Sequence, residues 1–152
     1  MIACLQRVSS ASVAVDGEVV GAIERGLLVL LGVAKGDTDD DARRLAQRVA
    51  GYRLFPNEDG SKPIDRSALD LGHAMLVVSQ FTLCADTHKG MRPGFDRAAP
   101  PELAEALYHV FVDALRAEGI ERVETGRFRA SMQVALVNDG PVTVWLETKS
   151  RA

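Results

Sequence analysis

The sequence predicts an α/β fold: a single compact domain over residues 1–152, with mixed or antiparallel, barrel-like β-sheets covered by two main helices. Three observations predict it. Short apolar segments of strand length recur along the chain, and two segments switch to a helical period. No linker, internal repeat or low-complexity tract divides the 152 residues, a length that suits one domain with a real core. Apolar residues make up 47% and charged residues 26%, the balance of a globular chain and not of a disordered one.

Ile2 to Val8 reads as a first strand. Ser12 to Val15 and Val19 to Ile23 read as a hairpin around Asp16-Gly17. Gly26 to Ala34 is the longest apolar run, too short to cross a bilayer. Its part from Leu27 on reads as a strand buried on both faces. The period then changes. Asp37 or Thr38 can cap a helix whose first turn is rich in Asp, and Leu45, Val49 and Tyr52 recur on one face. The polar stretch from Pro56 to His73 is rich in turn formers and predicts a long surface loop. Ala74 to Cys84 is strand-like again, and an irregular segment with two glycines and several prolines follows. Pro100 and Pro101 suit the start of a second helix striped by Leu103, Leu107, Val110, Phe111 and Leu115 and ended by Glu118-Gly119. Arg122 to Thr125, Ser131 to Val137 and Val142 to Glu147 supply the last strands. Between the last two, Asn138-Asp139-Gly140 is hairpin chemistry. Pro141 is unexpected there, since it cannot donate to a ladder.

Charge and motif content exclude several functions. A net charge of −3 and a pI near 5.6 argue against gripping nucleic acid with the whole surface. Local basic patches remain, at Arg43, Arg44 and Arg48 and at Lys89, Arg92 and Arg97. The N-terminus has no basic start followed by an apolar stretch, so neither a secretory signal nor a membrane partner is expected, and the chain is assigned to the cytoplasm. Cys4 and Cys84 lack CxxC spacing and read as reduced, buried thiols. His73, His88 and His109 share no metal-ligand spacing, and no glycine-rich phosphate cradle is present, so no metal and no cofactor are expected. The segment Ser79-Gln80-Phe81-Thr82 places hydroxyl and amide groups where a core strand ends. A hydroxyl needs an adjacent base to act as a nucleophile, and the nearest histidine, His88, lies in a loop. Strand hydroxyls bonded to backbone are an equal reading of the same residues.

Taken together, "SQFTL" (Ser79 to Leu83) and "NDGPVT" (Asn138 to Thr143) closely resemble the two signature motifs of D-aminoacyl-tRNA deacylases. "MIACLQRVSSASVAVDGEVVG", "GLLVLLGVA", "ADTHKGMRPGF", "AEALYHVFV" and "TGRFRASMQVALVNDGPVTVWLE" resemble that family in order and spacing, so the likeness covers nearly the whole chain. It implies a homodimeric hydrolase that cleaves the ester between a D-amino acid and the terminal adenosine of tRNA, and clears glycyl-tRNA, with each active site at the dimer interface. By this resemblance Ser79, Gln80, Phe81 and Thr82 line the site of one subunit. Gly140 and Pro141 enter it from the partner, Arg7 steadies the Gly-Pro segment, and Met132 is a pocket-wall residue. The resemblance also implies a cis Gly140–Pro141 bond, a geometry found in only about 5–6% of X-Pro bonds in folded proteins. In the family its two carbonyls point together into the site, where an L side chain would collide and a D side chain would point away.

The resemblance leaves the attack open. Thr82 could form a covalent ester, or the ribose 2′-OH of the substrate could activate water while N–H groups near Phe81 and Thr82 hold the oxyanion. Two departures fall in the polar loop. Gly60-Ser61-Lys62-Pro63 stands where relatives read Gly-Lys-Met-Asn, and His73 stands where glycine is usual. The rival functions are a non-catalytic dimeric aminoacyl-tRNA-binding module and a small-molecule Ser/Thr esterase using His88 as base.

Overall fold

A computed structural model describes residues 1–148. One strand organises it. β1 runs from Ile2 to Val15, longer than the Ile2–Val8 segment expected, because Ser9 to Ala11 continue the ladder. Along one edge it pairs with β3 (Gly26–Gly32) through Ile2 to Val8, and then with β2 (Glu18–Ile23) through Ala11 to Val15. The β1–β2 turn is the expected one, with Asp16 at φ 51° and Gly17 at φ 80°.

Two parallel crossovers extend the sheet. After β3 comes α1 (Asp39–Gly51), capped by a reciprocal Thr38–Asp41 box. The region expected to be only loop holds a small ladder of β4 (Arg53–Phe55) with β5 (Arg66–Ser67), and one short helix, α2 (Ala68–Leu71). The chain then enters β6 (Ala74–Ser79), parallel to β3. From β6 it passes through α3 (Pro101–Glu118) to β7 (Val123–Thr125), parallel to β6. Pro100 and Pro101 open α3 and Gly119 closes it, as expected.

Alternation along β3 and β6 builds two cores. Leu27, Val29, Leu31, Met75 and Val77 face α1 and α3, where Leu45, Val49, Leu107, Phe111 and Leu115 meet them. Leu28, Leu76 and Val78 face the other way and meet Val8, Val13 and Ile23 inside a nearly closed barrel. β2 returns so close to β7 that a Cβ on Gly21 would collide with the Thr125 carbonyl. Burying each such Leu or Phe is worth about 1.5–3 kcal/mol, which is why both faces of β3 and β6 are apolar. No helix among the described residues is long and apolar enough to cross a membrane.

The last strand corrects an expectation. Gln133–Glu147 is one strand, β8, antiparallel to the whole of β1, and the chain does not reverse at Asn138-Asp139-Gly140. Gln6 pairs with Thr143 and Val8 with Asn138, so residues 139–142 loop out opposite the single residue Arg7. Both flanking segments are strand as expected, but they share one neighbour and one direction. The hairpin is a bulge.

Candidate active site

β6 ends at Ser79, the carboxyl end of a strand with parallel neighbours, where open α/β sheets commonly hold ligands. Strand geometry does not continue to Cys84, as the apolar pattern suggested. Gln80 leaves it at φ −141°, ψ 79°, and residues Phe81–Cys84 form a 3₁₀ turn. Its N–H still donates to the Leu31 carbonyl (2.8 Å), and its carbonyl accepts from Leu83 N–H (3.2 Å). The Gln80 side-chain amide donates to the Thr82 hydroxyl. As the first residues of a helical turn, Phe81 and Thr82 have N–H groups without an intrahelical acceptor.

This turn borders a cavity of about 340 Å³ lined by Val33, Ser79, Phe81, Ala99, Phe128 and Arg129 among others. Its walls come from separate parts of the chain. Phe81 is 55% exposed and packs edge-on against Phe95, with ring centroids 5.1 Å apart. The segment after the 3₁₀ turn is pinched off by mutual bonds between Asp86 and Gly94 (2.7 and 2.9 Å). It then returns along β3's exit, Lys35 N–H to the Arg97 carbonyl and Ala99 N–H to the Val33 carbonyl (both 2.9 Å). Behind Ser79, Tyr108 Oη donates to the Val77 carbonyl (2.7 Å) and ties α3 to β6. Burial pushes the Tyr108 hydroxyl up to about 12, against smaller opposing effects of Thr125 and Arg116.

The Gly-Pro segment is exposed and anchored from both sides. Arg7, its side chain only 11% exposed, donates from Nε to the Asp139 carbonyl (3.0 Å) and from Nη1 to the Leu54 carbonyl (2.8 Å). Asn138 closes the loop internally, its Oδ1 accepting from Val142 N–H (3.2 Å) and its Nδ2 donating to Thr143 Oγ1 (3.0 Å). Gly140 sits at φ 134°, and the Gly140–Pro141 peptide is cis.

Within one chain the two segments stay apart. Registers place Ser79 beside Leu31 and Leu31 beside Ala3, whereas the Gly-Pro loop lies opposite Arg7 on the far edge of β1. Four residues along the strands and three strand spacings across them amount to about 19 Å. Met132 is not among the residues lining the Ser79 cavity; it packs beside Gly126 and Val13 at the barrel core. His88 turns to Asp86, Nδ1 to Oδ1 at 2.7 Å, and bonds from His88 N–H and its ring hold the Asp86 carboxyl below the usual range. Burial, with Arg25 nearby, pulls the His73 imidazole down.

Residues missed by sequence reasoning are Asn138, which stitches the bulge, and Phe128 and Arg129, which wall the cavity. Arg129 carried a readable signal only in hindsight: a cation next to an aromatic after a glycine. Nothing in its surroundings in sequence marks a positive φ.

Comparison with known proteins matches residues 4–147 to the family model of D-Tyr-tRNA(Tyr) deacylase. A relative from Pectobacterium atrosepticum, named D-aminoacyl-tRNA deacylase, is 55% identical over 97% of this chain and 100% of its own. A solved structure named c-Myc DNA Unwinding Element Binding Protein is 42% identical, with a TM-score of 0.93 over 99% of this chain and 100% of that one. Another, of a probable eukaryotic D-amino acid tRNA deacylase, is 19% identical with a TM-score of 0.79, covering 95% and 97%, a likeness of fold alone.

Proposed function

The chain belongs to the D-Tyr-tRNA(Tyr) deacylase family, and from that premise we propose that it is a hydrolase cleaving the ester that joins a D-amino acid, or glycine, to the terminal adenosine of tRNA. One observation carries this reading: the Ser79–Thr82 segment borders a cavity while the Gly140-Pro141 segment stands exposed and braced about 19 Å away across the sheet. A site needing both segments then takes one from each of two chains. The open edge and outer face of β8, with Val137 56% and Trp145 51% exposed, suit a second copy related by a two-fold axis.

In this homodimer Ser79, Gln80, Phe81 and Thr82 of one subunit surround the ester. Gly140 and Pro141 of the partner face its α-carbon, Arg7 holds that segment and Met132 supports the adjoining wall. With the amine and ester fixed, exchanging the chirality at the α-carbon swaps hydrogen and side chain. A braced backbone loop on one side excludes an L side chain and leaves a D side chain, or none, in open space. Rejection rests on steric exclusion, which supplies several factors of ten at about 1.4 kcal/mol each. The amides of Phe81 and Thr82 stabilise the oxyanion, and the substrate's 2′-OH assists water, since His88 is turned to Asp86. The tRNA substrate assigns the protein to the cytoplasm.

The test compares hydrolysis of D-tyrosyl-, L-tyrosyl- and glycyl-tRNA. Loss of the D and glycyl esters with the L ester intact is expected. Survival of all three with tRNA still bound leaves a binding module, and equal loss of D and L leaves an achiral esterase.

A further inference from the structure

The cavity beside Ser79 and Phe81 has one charged wall, Arg129, and no carboxylate lines it. Arg129 is exposed, and no ion pair to it forms among the described residues. Its backbone is unusual. Ala130 N–H bonds the Arg127 carbonyl (3.3 Å), closing a turn whose third residue is Arg129 at φ 65°. That position ordinarily selects glycine or asparagine, because a Cβ is disfavoured there. A long cation occupying a glycine-type position at the mouth of a substrate cavity is an outlier of the kind that gathers at ligand clamps.

Resting on the deacylase reading, we propose that Arg129 is a substrate-binding residue that takes the phosphate on the 5′ side of the terminal nucleoside. Phe81 and Phe128 offer the rest of the cavity flat apolar walls suited to a nucleoside, and neither can hold a charge. An ester directed at Ser79 leaves the 5′ side of its ribose as the next charged point of the substrate. A guanidinium is the donor whose fork matches phosphate oxygens. The chain, at net −3, has little general attraction for tRNA, so a single placed cation at the reacting end counts for more than it would on a basic protein. Arg129 thereby favours the ester of a nucleotide over that of a bare nucleoside.

The experiment uses D-tyrosyl-adenosine, the same ester carrying a 5′-phosphate, and D-tyrosyl-tRNA, with the wild-type protein, Arg129→Gly and Arg129→Lys. In the wild type the 5′-phosphate should raise kcat/KM about tenfold, the scale of one charge-assisted hydrogen bond. Arg129→Gly should erase that gain, lower kcat/KM on tRNA by a similar factor and flatten its salt dependence by about 0.7 in the log–log slope. The loss on the phosphate-free ester should be several-fold smaller than on the phosphorylated one. Arg129→Lys should recover part of the gain. Arg129→Gly relieves the positive φ, so its melting temperature should equal or exceed that of the wild type, which separates lost binding from lost folding. Equal losses on all three esters, or none on any, would overturn the assignment. A wild-type protein inert toward every D-tyrosyl ester would instead sink the deacylase reading, and this assignment with it.

Discussion

At φ 134°, Gly140 holds a backbone conformation that side chains rarely adopt. A Cβ there would stand 2.8 Å from Val142 Cγ2, 3.0 Å from Val142 N and 3.0 Å from Arg7 Nη2. Two of these three neighbours resist moving. The Val142 amide is held by Asn138 Oδ1, and the Arg7 guanidinium is fixed by the Asp139 and Leu54 carbonyls. Gly140→Ala must therefore distort the loop, at a cost of about 1–3 kcal/mol. For a chain of this size that corresponds to a fall in melting temperature of roughly 2–12 °C. Because the same residue faces the substrate in the proposed site, kcat/KM for D-tyrosyl-tRNA should fall by at least about a hundredfold, the scale of a lost positioning contact. Calorimetry and single-turnover hydrolysis on one preparation check both. A variant that melts lower yet turns over normally would mean the loop is structural only. The sequence made part of the candidate site legible: Ser79 and Phe81 line the cavity, Gln80 and Thr82 bond to each other beside it, and Gly140-Pro141 stands on the braced loop. It could not make legible the groups that brace them. Arg7 donates to the carbonyls of Asp139, Leu54 and Pro63, and a carbonyl has no sequence signature.

Elements were read well wherever periodicity is set by burial. β3 and β6 are apolar on both faces because each separates two cores, and α1 and α3 carry their stripes, caps and proline start where the residues place them. The misreadings occur where the partner, and not the segment, decides. Asn-Asp-Gly favours a reversal locally, but β1 is long enough to pair with β8 on both sides of the loop, so the ladder continues. Ala74 to Cys84 has strand composition throughout, yet the last neighbour β3 offers β6 is Leu31, paired with Ser79, and the chain turns there. The α3–β6 contact behind Ser79 yields a pH prediction. Tyr108 is buried, donates to the Val77 carbonyl and ionises only at about 12, against 10 for an exposed phenol. The folded state keeps its proton to higher pH than the unfolded state does. The resulting stability is fully present below pH 10 and is lost as pH rises through 12. The loss amounts to roughly 2–3 kcal/mol. Tyr108→Phe should cost about 1 kcal/mol near neutrality, because the Val77 carbonyl loses its donor. It should also remove that part of the alkaline decline, so the wild type, ahead near neutrality, should fall below Tyr108→Phe, the two stability curves crossing between about pH 10 and pH 12. Parallel curves over that range would mean the phenol is not the titrating group.

For the whole molecule the decisive quantity is a separation. About 19 Å of sheet lies between Ser79 and the Gly-Pro loop of the same chain, and the strands between them, β1 and β3, are buried ladder that cannot fold to close the gap. If catalysis needs both segments, a monomer is inert whatever its stability, and two inactive variants can repair each other. One variant would carry Gln80→Ala and Phe81→Ala, the other Gly140→Ala. Each alone should be close to inactive as a homodimer. Unfolded together and refolded, half of the dimers are mixed, and each mixed dimer has one site with two intact contributors and one with none. Activity should return to about a quarter of the wild-type value. Trp145→Lys, placed on the outer face of β8, should shift sedimentation toward monomer and reduce activity in proportion to the monomer fraction, with the far-UV spectrum unchanged. A mixture as inactive as its components, or full activity in a sedimenting monomer, would require each chain to complete its own site, and the registers of β1, β3 and β6 leave it no route to do so.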